Sequence, residues 1–249
     1  MKHVPRLYVF GHLAAGGLVL DGDQAKRLSA VMRLGPGDEF LAFAGDGREW
    51  RARVTGVHKA SLDAEVTELV RQEPAPALAV EVWVALVRAN RFDWAIEKCV
   101  EAGADVIRPM LTERCQRGEG SSGKAGRWTR LAIEAAEQSG RLRVPVVEPP
   151  VALERLLGGV RGALLVAERG ALPWTEAARL LAPAGHVAVA IGPEGGLSES
   201  ELGQLKAKGA IAVSLGPYIL RTETAAAVAV ALVRAAALVT RSERPCTTV

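Results

Sequence analysis

The most constraining feature of this sequence is an apolar segment that ends in a glycine-rich turn. Residues Val187–Ile191 contain no polar side chain, which is typical of a parallel strand covered on both faces. The turn that follows reads Gly192-Pro193-Glu194-Gly195-Gly196. Ser198 comes next with Glu201 three positions later, a pair that predicts a capping box at the start of a helix. The segment therefore predicts a strand, a tight loop and a helix in direct succession.

A second segment repeats this plan further along the chain. Residues Ala210–Leu215 are largely apolar, Gly216 and Pro217 predict a turn, and a helix is expected to begin near Thr222. In a parallel sheet, both turns lie at the carboxyl ends of strands, which is the edge where open α/β sheets bind ligands. The two turns are therefore predicted to form one binding site.

The kind of ligand can be narrowed by elimination. Neither turn contains the GxxxxGK[ST] string of a phosphate loop or the GxGxxG string of a dinucleotide site. The carboxylate of Glu194 would also repel a phosphate at the helix N-terminus. A neutral or cationic ligand held mostly by backbone groups is favoured, while an ordinary pair of structural turns stays open on local sequence alone.

Two long strings resemble the signature of a known family. IGPEGGLSESE (191–201) and LGPYILRTETA (215–225) are similar to the two loops of the RsmE family of SPOUT RNA methyltransferases. The resemblance implies S-adenosylmethionine-dependent methylation of N3 of a uridine in small-subunit (16S) ribosomal RNA. It also implies a homodimer, a C-terminal trefoil knot around the cofactor, and action on RNA within the small ribosomal subunit. The cofactor-binding residues that it implies are Ile191, Gly192, Pro193, Glu194, Gly195, Gly196, Leu215, Gly216, Pro217, Ile219, Leu220, Arg221, Thr222 and Thr224.

The first part of the chain has a different pattern. Short strands, several with alternating apolar and polar residues, and a helix over Asp23–Leu34 predict a small β-barrel over residues 1–73. This resembles the PUA-like RNA-binding domain of the same family, including the match at Ala30–Leu34. Prolines predict a linker at about 70–79, before a methyltransferase domain over 74–249. The predicted fold class is α/β, a PUA-like β-barrel followed by a SPOUT domain with a C-terminal trefoil knot.

The middle of the chain resembles two further motifs of the family, in residues 88–115 and 138–145. A uracil N3–H is a poor nucleophile until its proton is lost, so a cation near the uracil carbonyl oxygens assists the reaction. Side chains that position the uridine and stabilise this charge are therefore the expected catalytic groups. The candidates are Arg91, Gln138, Arg141 and Arg221.

Charge patterning indicates where RNA is expected to bind. The net charge of +3 permits an RNA partner without requiring one. Residues 108–143 contain eight basic and four acidic residues, a larger excess than that of the whole chain. This basic window is the expected phosphate track, with a solvated helix face as the alternative. The RNA-contact candidates are Arg6 and Arg33 in the barrel and Arg114, Arg127, Arg130 and Arg143 in the window.

The cysteines, the N-terminus and the apolar runs limit the classes of protein to which this chain can belong. Cys99, Cys115 and Cys246 lie far apart without a CxxC pair, so neither a metal site nor a disulfide framework is expected. The N-terminus lacks a signal-peptide pattern, and the longest apolar run, residues 224–239, is shorter than the roughly 20 residues that cross a bilayer. A cytoplasmic protein without a membrane partner is expected. Residues 225–239 predict an apolar helix that needs burial on nearly every side.

Two alternatives to the RsmE prediction stay open. One is another SPOUT RNA methyltransferase that acts on a ribose 2′-hydroxyl or on transfer RNA. The other is a non-enzymatic RNA-binding or ribosome-assembly factor that keeps an inactive cofactor pocket. The nature of the methylated atom separates the first from the prediction, and binding of S-adenosylmethionine separates the second.

Overall fold

The structure is a computed structural model that describes residues 4–115, 125–180 and 185–242. It divides into two compact units. The first unit comprises Met1–Ala75 together with Ala136–Val144, and the second comprises Pro76–Ala135 together with Pro145–Val249. The inclusion of residues 136–144 in the first unit was not indicated by the sequence, where only the proline-containing linker signalled a boundary. Residues 116–124, which fall within the basic window, and Cys246 lie outside the described residues.

The first unit is built on a five-stranded sheet with the order β1-β3-β4-β5-β2. Strand β1 pairs with β3 in parallel, and the other pairs are antiparallel. Alternate side chains of these strands form one apolar core that includes Phe40, Ala52 and Leu62, as the period of two predicts. The strands are β1 Arg6–Tyr8, β2 Gly16–Asp21, β3 Glu39–Phe43, β4 Arg48–Val57 and β5 Ser61–Gln72.

The helix predicted over residues 23–34 is shorter than expected. Helix α1 spans Gly22–Lys26 and continues as a single π-helical turn over Arg27–Val31. The Met32 N–H donates to the Arg27 carbonyl at 2.9 Å, and Arg33 has a left-handed backbone with φ 57°. A left-handed residue reverses the chain direction, so the helix ends before it.

The side chain of Arg6 links β1 to residues 136–144 of the first unit through hydrogen bonds. Its side chain is only 12% exposed. The guanidinium donates to the carboxylate of Glu49 and to the backbone carbonyls of Ala136, Glu137 and Arg141. A guanidinium that is buried and bonded to four acceptors has little capacity left for a phosphate. The geometry therefore favours a structural role for Arg6 over the expected RNA contact.

The second unit contains a seven-stranded sheet in which every pair is parallel. Its order is β12-β10-β11-β6-β7-β8, and β9 also pairs with β7. The strands are β6 Ala79–Ala85, β7 Val106–Leu111, β8 Val146–Val147, β9 Val151–Ala152, β10 Ala163–Pro173, β11 His186–Ile191 and β12 Ile211–Ser214. The helices are α2 Ala89–Ala102, α3 Ala125–Ser139, α4 Leu153–Leu157, α5 Trp174–Leu180, α6 Glu199–Ala207 and α7 Thr222–Ser242. Helix α3 begins in the second unit and ends in the first.

The apolar segment before the first glycine-rich turn forms a central strand of this sheet. Residues Val187–Ile191 of β11 are all buried, between β10 on one side and β6 on the other. The second predicted strand is β12, at the edge, and β10 separates it from β11. The parallel pairing puts the carboxyl ends of β10, β11 and β12 at one edge of the sheet, as predicted.

Helix α7 is buried on one face rather than on nearly every side. Ala226, Ala229, Val230 and Val233 are inaccessible and recur at helical spacing, where α7 packs against α2 and β6. Ala231 and other small residues on the remaining surface are exposed or half-buried. No helix in the described ranges combines the length and apolarity that a membrane span requires.

Cys99 carries a fully buried thiol. It is inaccessible on α2, and burial raises the pKa of the Cys99 thiol to about 12. A thiol held in its protonated form is a poor nucleophile and metal ligand. No cluster of His, Cys, Asp and Glu that suits a metal occurs among the described residues.

The role of Arg6 predicts a large effect of Arg6→Ala on stability. The substitution leaves the buried Glu49 carboxylate and three carbonyls with fewer donors, so we expect the free energy of unfolding to fall by about 3 kcal/mol. Denaturant titration measures this change. Lys59→Ala, at an exposed position of the same unit, is the control and should have no measurable effect. Equal stabilities of the two variants would contradict the structural role.

Candidate active site

The candidate site lies at the carboxyl ends of β11 and β12. We call residues 192–197, between β11 and α6, the first loop, and residues 215–221, between β12 and α7, the second loop. The hydroxyl of Thr222 donates a hydrogen bond to the carbonyl of Gly192 at 3.0 Å. This bond joins the end of the second loop to the start of the first, although β10 separates their strands in the sheet.

The start of α6 is fixed by the predicted capping box. The hydroxyl of Ser198 accepts from the Glu201 N–H at 3.3 Å, and the Glu201 carboxylate accepts from the Ser198 N–H at 2.8 Å. The other carboxylate oxygen of Glu201 accepts from the backbone N–H of Glu113 at 2.8 Å. One buried side chain therefore caps α6 and also ties the end of the first loop to the segment after β7.

Arg114 holds the first loop from the same segment. Its guanidinium donates to the carbonyl of Gly195 at 2.7 Å and, more weakly, to that of Leu197 at 3.4 Å. Sequence reasoning assigned Arg114 to RNA and did not indicate this contact, because its partners are backbone carbonyls some 80 positions away. The geometry supports a role in shaping the loop.

The glycines of the first loop differ in what they require. A Cβ at Gly192 would lie 3.1 Å from Leu197 Cγ and 3.2 Å from the Leu197 nitrogen. Gly196 has φ +70°, and its N–H closes a turn on the Pro193 carbonyl at 2.8 Å. A Cβ at Gly195 would make only an ordinary contact, 3.5 Å from Arg114. The close approach at Gly192 is therefore the tightest constraint on the loop.

Arg91 lies between two carboxylates. In the first turn of α2, its guanidinium forms an ion pair with Glu194 of the first loop, while its Nε is 4.0 Å from Glu223 Oε1 in the first turn of α7. The Glu194 side chain is 54% exposed and that of Glu223 is 9% exposed. Glu194 is thus the accessible carboxylate of the two, and an exposed carboxylate on the first loop favours a cationic ligand.

The second loop presents apolar surface. Tyr218 and Ile219 are 84% and 78% exposed, and Leu215 and Leu220 at its two ends are half-buried. Gly216, Pro217 and Arg221 are also exposed, and Thr224 is half-buried. Tyr218 was absent from the residues expected to bind a ligand, although its position inside the LGPYILRTETA string is the signal that could have found it.

The expected catalytic residues fall into both units. Arg91 and Arg221 belong to the second unit, whereas Gln138 and Arg141 belong to the first. Gln138 is exposed at the end of α3. The Arg141 carbonyl accepts from Arg6, and its own N–H donates to the Ala136 carbonyl at 3.0 Å.

The expected RNA contacts differ in accessibility. Arg33 is exposed on its left-handed backbone, and Arg130 is exposed on α3. Arg127 pairs with Asp93 of α2, and Arg143 donates to the Glu73 carbonyl at 3.2 Å. Arg117 and Lys124 of the basic window lie outside the described residues.

The tight approach at Gly192 predicts different effects of two alanine substitutions in the first loop. Gly192→Ala forces Leu197 or the loop backbone to shift, so we expect a loss of about 1–3 kcal/mol in the free energy of unfolding. Gly195→Ala is the matched control and should change stability by less than about 0.5 kcal/mol. Denaturant titration of both variants checks this, and a loss that is larger at Gly195 would contradict the geometry.

Family models match both parts of the chain. A model described as an RNA methyltransferase domain matches residues 73–234, and one described as an RNA methyltransferase PUA domain matches residues 20–67. The N-terminal part is therefore PUA-like, as predicted, and the larger part is an α/β methyltransferase domain.

Solved structures share this architecture. A ribosomal RNA small subunit methyltransferase E from Neisseria gonorrhoeae, bound to S-adenosyl methionine, matches with a TM-score of 0.85 and 31% identity, over 94% of this chain and 98% of that chain. A putative methyltransferase from Legionella pneumophila with bound SAM matches with a TM-score of 0.86 and 29% identity, over 94% of this chain and 98% of that one.

Several curated relatives are named ribosomal RNA small subunit methyltransferase E. The relative from Synechocystis is 36% identical over 85% of this chain and 71% of its own length. The one from Mycobacterium tuberculosis is 35% identical over 86% of this chain and 85% of its own length. The one from Bacillus subtilis is 30% identical, over 83% and 85%. These matches confirm the resemblance drawn from the two loop strings, and the chain belongs to the ribosomal RNA small subunit methyltransferase E family.

Proposed function

We propose that this protein transfers a methyl group from S-adenosylmethionine to N3 of a specific uridine in 16S ribosomal RNA, within the small ribosomal subunit. The observation that carries the proposal is the junction of the two loops through Thr222 and Gly192, with Arg91 beside it. The family membership supplies the reaction class, and the names of the relatives support the ribosomal substrate.

The residues of the two loops fit this cofactor. S-adenosylmethionine supplies a methyl group on a positively charged sulfonium. The half-exposed carboxylate of Glu194 suits its positive charge, and the apolar side chains of the second loop suit its adenine. We propose that residues 191–196 and 215–224 bind it, with the fourteen residues named from the family resemblance as the contacts.

We also propose that the C-terminal part forms the trefoil knot of the SPOUT class. The support is the path of the chain after β12. From this edge strand the second loop runs to Gly192 at the end of β11, and α7 then packs on β6 and α2. The chain thus passes β10 to reach the middle of the sheet. Knots are rare in proteins, so the family supplies this part of the proposal.

Positioning and charge stabilisation carry the catalytic step in this proposal. Methyl transfer is an in-line displacement, so alignment of N3 with the methyl group supplies much of the rate. Arg91, Arg141 and Arg221 provide positive charge for the uracil oxygens as the N3 proton is lost, and Gln138 pairs with the imide edge. The target base leaves its stack first, which costs least in single-stranded or looped RNA.

We propose RNA contacts in the PUA-like unit and in the basic window, each considered by itself. Arg33 and Arg130 are the contacts that we propose first, because both are exposed. Arg127 and Arg143 reach RNA only if they exchange their present partners, and the bonds of Arg6 and Arg114 favour structural roles. We further propose a homodimer, supported by the exposed alanines of α7, and action in the cytoplasm, where ribosomal subunits are found.

The reaction itself is tested with small subunits from cells that lack this enzyme. Radiolabelled S-adenosylmethionine should deliver one methyl group per subunit, and nucleoside mass spectrometry should identify N3-methyluridine. Arg91→Ala should lower kcat by about 100-fold, the effect of removing one charge-stabilising group from an active site. A labelled 2′-O-methyl nucleotide would contradict the proposed reaction.

The RNA surface is tested by the salt dependence of binding. Each phosphate contact contributes about one unit to the slope of log affinity against log salt, so Arg130→Ala should weaken binding and reduce that slope by about 1. Arg179→Ala, exposed on α5 and outside the basic window, is the control and should leave the slope unchanged. The same slope in both variants would exclude a phosphate contact at Arg130.

A further inference from the structure

Glu223 is a buried carboxylate that is only partly satisfied. Its residue is 7% exposed, and its Oε2 has no hydrogen-bond partner among the residues that the structure describes. Its Oε1 lies 4.0 Å from Arg91 Nε, which is beyond hydrogen-bond distance. A buried carboxylate oxygen without a donor is unfavourable, so such a group calls for a function.

The nearest cation is already engaged elsewhere. Arg91 pairs with Glu194, which is half exposed and belongs to the first loop. Arg91 is therefore paired with a half-exposed carboxylate, while the buried carboxylate of Glu223 lies next to it without a hydrogen bond. Glu223 is fixed because it lies in the first turn of α7, directly after Thr222, whose hydroxyl is bonded to Gly192. The positive end of the helix dipole favours an anion at this place.

We propose that Glu223 is a positioning residue that takes over the Arg91 guanidinium when Glu194 turns towards a bound ligand. A shift of about 1 Å brings Nε within hydrogen-bond distance of Glu223, and a guanidinium has enough donors to satisfy Oε2 as well. Arg91 then loses its exposed partner and gains a rigid one. Its positive charge is held at the junction of the two loops, where the proposed reaction needs it.

This inference rests on the proposed function for its catalytic consequence but not for its structural core. The structural core is that either carboxylate can serve as the partner of Arg91. Glu194 and Glu223 should therefore substitute for each other in the protein alone. This exchange can be measured without any cofactor or RNA, so it is tested independently of methyl transfer.

The first experiment compares thermal unfolding midpoints of Glu194→Gln, Glu223→Gln and the double variant without cofactor. Each single variant leaves Arg91 one carboxylate, so both should shift the midpoint little. The double variant leaves none, and its midpoint should fall by about 2–4 °C more than the sum of the single shifts. The control pair is Glu194→Gln with Glu176→Gln, at an exposed position in the first turn of α5. The midpoint shifts of this pair should be additive. Additive shifts in the test pair would overturn the proposal.

The second experiment separates positioning from packing in the active enzyme. Glu223→Gln should lower kcat by about 10- to 100-fold, because a displaced catalytic group costs this much. The dissociation constant of S-adenosylmethionine, measured by calorimetry, should stay within about twofold. Arg91→Ala combined with Glu223→Gln should be no slower than Arg91→Ala alone, and Glu223→Asp should recover part of the rate. Effects that multiply in the double variant would overturn the positioning role.

The outcomes for the wild-type protein keep the two proposals apart. If it neither binds S-adenosylmethionine nor methylates small subunits, the proposed function fails, and the unfolding midpoints alone decide whether Arg91 exchanges between the two carboxylates. If it does both but the midpoints are additive, the proposed function stands and the role of Glu223 fails.

Discussion

The hydrogen bond from the Thr222 hydroxyl to the Gly192 carbonyl is the contact on which the site depends. It joins two loops whose strands are not neighbours in the sheet, since β10 lies between them. Everything proposed for this site, from cofactor binding to the placement of Arg91, requires the loops to be adjacent. Gly192 also keeps the first loop compact, because a Cβ there would lie only 3.1 Å from Leu197 Cγ and 3.2 Å from the Leu197 nitrogen. The glycine and the threonine therefore act together.

The first loop is held from a second direction by the segment after β7. Glu201 caps α6 and binds the Glu113 N–H, while Arg114 donates to the Gly195 carbonyl. These bonds end on backbone groups, so they fix the path of the loop without occupying its exposed side. Glu194 stays half exposed as a result. A loop that is rigid in its backbone and open at one carboxylate suits a ligand that carries positive charge.

Sequence reasoning found the loops but not the contacts that arrange them. Local patterns can be recognised from the sequence alone. They include the apolar run of β11, the capping box at Ser198 and the family strings. Arg6 and Arg114 both donate to backbone carbonyls far away in the chain, and such partners leave no trace in residue type. Two arginines that were expected to contact RNA therefore have structural partners. The helix predicted over residues 23–34 was too long for a similar reason. The left-handed residue after it is Arg33 and not a glycine, so the residue type does not signal the end of the helix.

The sequence by itself determined that this chain has a parallel α/β core with two glycine-containing loops at one edge, a β-rich N-terminal part, and the signature strings of its family. Hydrophobic periodicity and turn chemistry act over a few residues, so they are readable without coordinates. Only the tertiary structure decided that β10 separates the two loop-bearing strands, that residues 136–144 belong with the N-terminal unit, and that Arg91 lies between a surface carboxylate and a buried one. These features depend on strand order and on pairing between charges distant in sequence, which are set by the packing of the whole chain.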